Sequence, residues 1–345
     1  MKKLVTILLL VLCLGLSLAG CQGEKQPEPE PTEDVPELKV AMLSTISQGT
    51  PFATLEWSGL SQAADNGFTD VKFVECLDSA EYEEQIRSFA ESGYGLILSQ
   101  FDALNAYVLE LAPEYPDTFF YLCDSGLDVS GLDNVGNLLV DPTEGAFVAG
   151  YVAAFTSESG VIGWVGSLDQ ANINRYRYGF EAGVAYYNEE NGTDVKVLTG
   201  YTGSNTDSEK AAEIATSFIE QGADLIAEVA NLGGLGALQV AAEKGVKAMG
   251  CDSYMSDDYE AVFWNPLKDI DMTLLNVCKE FASGKTVSGV RYFTLATGAR
   301  AFDTRDYDRL SAEDKALVDA VVNKLIDGTI DVVDAAAKAE AARAD

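Results

Sequence analysis

Two aspartates are the plainest carriers of chemistry in this chain. Each closes an apolar run with the same three residues: Phe119-Phe120-Tyr121-Leu122-Cys123-Asp124-Ser125 in the first half, Val246-Lys247-Ala248-Met249-Gly250-Cys251-Asp252-Ser253 in the second. A carboxylate accepts hydrogen bonds on both oxygens, so it can take two hydroxyls of one ligand. Two such groups facing one cleft could also do acid–base work. Either aspartate would equally cap the turn after its strand. The match between two distant segments is what points to a shared site.

The composition narrows the chemistry. The chain has no histidine, which removes the usual general base and the commonest zinc ligand. No GxSxG, phosphate-loop or metal-ligand cluster accompanies the aspartates, so no catalytic residue, cofactor or metal site is expected. The formal charge of −32 argues against nucleic acid as a partner, since phosphate binding needs a basic face. It suits a soluble, surface-exposed protein instead.

The elements that must position the aspartates can be read from hydrophobic patterning. Apolar strands are expected at Leu38–Ser44, Val71–Leu77, Gly95–Ser99, Thr118–Asp124 and Val135–Val140. A second series is expected at Val161–Gly166, Val195–Tyr201, Leu225–Ala230, Val246–Asp252 and Ala261–Asn265. Helical stretches such as Tyr82–Ser92, Gly145–Thr156, Ile173–Asn188 and Ser208–Gln221 separate them. Apolar strands alternating with helices indicate parallel sheets covered on both faces, here two doubly wound α/β lobes. Ligands of such sheets bind beyond the carboxyl ends of the strands, which is where Asp124 and Asp252 stand.

The first residues give an address. Lys2 and Lys3 precede an apolar run from Leu4 to Leu18, which closes in Leu18-Ala19-Gly20-Cys21. A charged start, a short apolar core and small residues make a secretory signal. Leu-Ala-Gly-Cys is the pattern of a bacterial lipobox, in which cleavage precedes a diacylated Cys21. Residues 22–37, rich in Pro and Glu, are expected as an extended leash. Of the six cysteines, Cys76, Cys123, Cys251 and Cys278 sit in apolar contexts without CxxC spacing and are expected as buried free thiols.

The segment from Glu144 to Gly166 resembles the central signature of the basic membrane protein (BMP) family, lipoprotein substrate-binding proteins of ABC transporters. Asn172–Phe180 (NINRYRYGF), Gly200-Tyr201-Thr202-Gly203-Ser204 with Asp207, Gly222-Ala223-Asp224 followed by Gly233–Gly236, and Gly250–Ser253 resemble further family segments in the same order. The resemblance covers roughly residues 38–335. It implies a type I periplasmic-binding-protein fold, with a purine nucleoside as the favoured ligand. Carried over by position, it implies ligand contacts from Phe52, Asp124, Tyr176, Gly233, Gly234 and Asp252. Phe52 could instead be a core residue, Tyr176 a packing residue and the glycines a plain turn.

The segment before Phe52 lacks the family's acidic residues, and Ala53 replaces its Asn. The family's lysine after Asp252 has no counterpart within Ala261–Pro266, where Trp264 and Asn265 stand, although Lys268 follows shortly. Trp264 and Asn265 are therefore added to the expected ligand contacts, Trp264 as a stacking surface.

The expected protein is a monomeric capture protein, tethered to the membrane through Cys21 and facing outward. It would close on a small ligand and deliver it to an ABC permease. The expected first lobe is 38–141 with about 266–297, and the second is 142–265 with about 298–335. A sensor, a binder of another flat heterocycle or sugar-like molecule, and a surface enzyme are the competing readings.

Overall fold

A computed structural model of the protein describes residues 37–341. The signal-like segment, Cys21 and the leash through residue 36 lie outside the described residues. Among the described residues no helix is long and apolar enough to cross a membrane.

Eleven strands form two sheets: β1 (Leu38–Ser44), β2 (Phe68–Glu75), β3 (Leu96–Gln100), β4 (Phe119–Cys123), β5 (Val135–Val140), β6 (Val161–Gly166), β7 (Lys196–Tyr201), β8 (Leu225–Val229), β9 (Lys247–Met249), β10 (Val262–Trp264) and β11 (Gly289–Phe293). The first sheet has six strands in the order β11-β5-β4-β3-β1-β2, and the second has five in the order β10-β9-β8-β6-β7. All pairings are parallel. The central strands β3, β4 and β8 are buried at every residue, as a sheet covered on both faces requires. Apolar clusters fill both faces of each sheet. The structure is thus the α/β, two-lobed architecture of periplasmic binding proteins.

Two details depart from the sequence pattern. The expected strand Val246–Asp252 shrinks to β9, because the chain leaves the ladder at Gly250 and turns left-handed at Asp252. Strand β11 was not expected at all. Its residues alternate half-buried and exposed, and it exists because it can pair with β5, far back in the chain.

The helix Pro51–Leu60 carries Phe52 to the carboxyl end of the first sheet. Thr50 caps it, accepting from the Ala53 N–H at 3.4 Å, and Pro51 supplies a preset first turn. Gly59 lets this helix lie directly on the helix Ile270–Ala282, since a Cβ there would strike the Asp271 backbone. The four buried cysteines described are all free thiols.

Candidate functional site

Four non-glycine residues have left-handed backbones: Phe101, Asp124, Asn231 and Asp252. They follow β3, β4, β8 and β9, two in each sheet, all at the carboxyl ends. Such conformations cost energy even for Asp and Asn, and they concentrate where function demands them. Across the opening, the helix Pro51–Leu60 comes close to the turn Asn231–Gly233.

Asp124 is held from two sides. Its Oδ1 accepts from the Val140 N–H at 2.8 Å, and its Oδ2 lies 2.5 Å from Lys268 Nζ. Lys268 enters from the chain crossing that leaves β10, and its ammonium lies 5.6 Å from the Phe52 ring centre. Burial alone would depress this ammonium. The Asp124 and Asp252 charges outweigh it and hold Lys268 above its ordinary value.

Asp252 is held differently. Its Oδ1 accepts a short hydrogen bond from the Tyr176 hydroxyl, donated from the helix Ala171–Asn191. Its backbone carbonyl accepts from the Lys268 N–H at 3.2 Å, so the crossing touches both aspartates. Burial and the facing carboxylate push the Tyr176 phenol well above its usual range, which keeps it a donor.

Behind each aspartate stands a buried glutamate. Glu56 is one helical turn beyond Phe52 and meets the Gln100 side-chain amide. Burial pushes its carboxyl well above the carboxylate range. Glu228, on β8, accepts from the Ala230 N–H at 3.0 Å. Burial pushes it up to about 8, with the Asp252 charge adding to the shift. Burial thus favours the protonated form of each, and a protonated carboxyl can donate as well as accept.

The structure brings Phe52, Asp124, Tyr176 and Asp252 into one group and adds Lys268, Glu56 and Glu228. Gly233 and Gly234 stand at the start of the helix Gly234–Lys244, and both have packing reasons to be glycine. A Cβ on Gly233 would come within 3.3 Å of the Asp207 backbone nitrogen, and one on Gly234 would collide with the Glu228 carboxyl.

Trp264 and Asn265 need correcting as ligand contacts. Trp264 is fully buried, with its ring 4.9 Å from Phe302 in the core of the second sheet, so it offers no stacking face. Asn265 is also fully buried. Its amide nitrogen donates to Ser256 Oγ and Asp306 Oδ2, each at 2.7 Å, and its oxygen accepts from the Met255 N–H at 3.1 Å. These bonds tie down the loop after Asp252.

Sequence signals existed for the additions. A charge inside the apolar run Leu-Ile-Ala-Glu-Val marks Glu228. The four-residue spacing from Phe52 puts Glu56 on the same helix face. Lys268 follows the crossing Asn265-Pro266, and only the observed crossing sets its register against Asp124.

The family model for "ABC transporter substrate-binding protein PnrA-like" matches residues 38–336. Basic membrane protein A of Borreliella burgdorferi is 27% identical over 342 residues, covering 94% of each chain. A solute-binding protein of an ABC transporter system from Aeropyrum pernix K1 superposes with a TM-score of 0.72 at 22% identity, covering 85% of this chain and 92% of that one. A transcriptional activator of the comK gene from Bacillus halodurans superposes with a TM-score of 0.71 at 20% identity, covering 84% and 97%. At those identities the two structures speak for the fold.

Proposed function

This chain belongs to the PnrA-like family of ABC transporter substrate-binding proteins, and from that premise we propose that it captures a nucleoside, a purine nucleoside first, between its lobes. As a family member it is a non-enzymatic, extracytoplasmic protein associated with the membrane, and it serves a permease. The observation that carries the nucleoside reading is the grouping of the Phe52 ring with Lys268, Asp124 and Asp252. A flat base can stack on an aromatic ring for ~1–3 kcal/mol, while ribose hydroxyls donate to carboxylates. Two aspartates, Asp124 and Asp252, act on the one Lys268 ammonium, so a phosphate would meet like charge. That favours a nucleoside over a nucleotide.

The proposal includes the tether and the motion. Cys21 carries the lipid, residues 22–37 form the leash, and the protein acts as a monomer. The lobes (38–141 with about 266–297, and 142–265 with about 298–335) close on the ligand by a hinge at the crossings. The test is mass spectrometry of small molecules released by denaturing the freshly purified protein. It is followed by thermal unfolding with inosine, guanosine, adenosine and uridine. A nucleoside should be released, and its addition at a hundredfold excess over Kd should stabilise by ~2.7 kcal/mol. Release of a sugar or amino acid, with no nucleoside shifting the transition, would overturn the reading.

A further inference from the structure

Ser167 and Asn231 stand at the carboxyl ends of β6 and β8, neighbouring strands in the second sheet. The Ser167 N–H donates to the Val229 carbonyl at 3.0 Å, and its own carbonyl accepts from the Gly203 N–H at 2.8 Å. Its backbone is thus fully engaged. Its hydroxyl is not: Ser167 is completely buried, and Oγ has no hydrogen-bond partner. Asn231 Oδ1 is likewise buried without a partner, on a residue with φ of 52° in the turn that approaches the helix Pro51–Leu60. A buried polar atom left unsatisfied is costly, and two of them at the carboxyl ends of neighbouring strands require a reason.

We propose that Ser167 and Asn231 form a further polar subsite, which takes one hydroxyl of the ligand's sugar. The sugar O–H donates to Asn231 Oδ1, and its oxygen accepts from Ser167 Oγ–H. Both groups are uncharged, so the subsite selects a neutral partner. A base carbonyl only accepts and would leave Asn231 Oδ1 unpaired, and a base amino group only donates and would leave the Ser167 O–H without an acceptor. A hydroxyl satisfies both. The inference rests on the nucleoside reading and adds to it which second-lobe atoms recognise the sugar.

The experiment is titration calorimetry of inosine and its three monodeoxy analogues against the wild type, Ser167→Ala and Asn231→Gly. Glycine suits the left-handed backbone at position 231, and unfolding temperatures of the unliganded variants check that both fold. The wild type should lose about 10- to 100-fold in affinity for one analogue, the usual consequence of a lost hydroxyl in a closed polar site. In each variant that same loss should shrink to within about threefold, because the hydroxyl's partner is already gone. Undiminished discrimination in both variants would overturn the subsite and leave bound water as the partner of these atoms, as would a wild type indifferent to every hydroxyl. If the wild type binds no nucleoside, that reading falls by itself. The same comparison is then made with ribose, glucose, galactose and their deoxy forms, where hydroxyl discrimination lost in the variants supports the subsite. A wild type that binds none of these sugars overturns it too.

Discussion

The two lobes present the same tripeptide at the same place and complete it with different partners. In each, Cys-Asp-Ser stands at the carboxyl end of an inner strand (just beyond β9 in the second), the aspartate is left-handed, and a buried asparagine, Asn137 within β5 or Asn265 directly after β10, staples the loop beyond it. In the first lobe Asn137 accepts from the Ser125 N–H at 3.3 Å and donates to its carbonyl at 2.8 Å. In the second, Asn265 bonds Met255, Ser256 and Asp306. The aspartates themselves diverge: Asp124 meets an ammonium, Asp252 a phenol. An ammonium neutralises its carboxylate, whereas a phenol stabilises the carboxylate without cancelling its charge.

Removing the ammonium should produce the largest effect. Lys268→Met leaves the part-buried Asp124 beside Glu56 with the Val140 N–H but without its counter-charge, and since breaking a fully buried pair costs ~3–5 kcal/mol the loss here should approach ~3 kcal/mol. Calorimetry should show binding all but lost, and denaturant unfolding should show lower stability. Asp124→Asn added to Lys268→Met should restore much of the stability and little of the binding. Unchanged stability in the single variant would mean that the two lobes hold their aspartates alike.

The asparagine staples come next. Asn265→Ala removes the donor to Asp306 Oδ2, while Oδ1 keeps Ser256 and Arg309, and also strands the Met255 N–H; each unsatisfied group costs ~1–3 kcal/mol. Asn137→Ala strands only backbone groups of Ser125, so it should lower the unfolding temperature less. Equal losses would contradict the geometric difference. Tyr176→Phe removes one hydrogen bond to a charged group, worth ~1.5–3 kcal/mol. It should weaken ligand binding by about tenfold with a smaller change in unliganded stability, measured by calorimetry and thermal unfolding.

The last effect is a slope, small within any one pH unit. Glu228 keeps its proton up to about pH 8 in the folded protein, whereas its ordinary value is 4.5. Between those values the folded state binds the extra proton, so this group's contribution to stability falls as pH rises through that window. Glu228→Gln should flatten the stability–pH curve there by ~1.4 kcal/mol per pH unit. Glu56→Gln in the other lobe should change the curve in the same direction, because burial raises that carboxyl too. Parallel curves for wild type and variants would show that neither buried glutamate holds a proton.

Much of this was legible in the chain. The alternation of apolar strands and helices declared two parallel sheets, and the doubled Cys-Asp-Ser placed an aspartate at the carboxyl end of each. What misled was Trp264-Asn265. An aromatic and an amide next to a crossing look like ligand contacts, but side-chain direction at the end of a short edge strand follows from packing on Phe302 and Asp306, which come much later in the chain.

The sequence alone determined what is local: strand and helix periodicity, the lipobox-like start, and the position of Asp124 and Asp252 beyond their strands. These follow from side-chain alternation and turn preference, which act over a few residues. Only the tertiary structure decided what stands opposite each aspartate. Lys268 reaches Asp124 through a crossing, Tyr176 reaches Asp252 from another helix, and the carboxyls of Glu56 and Glu228 are pushed up because distant segments bury them. Burial and charge pairing depend on contacts between residues far apart in sequence, and no local pattern encodes those distances.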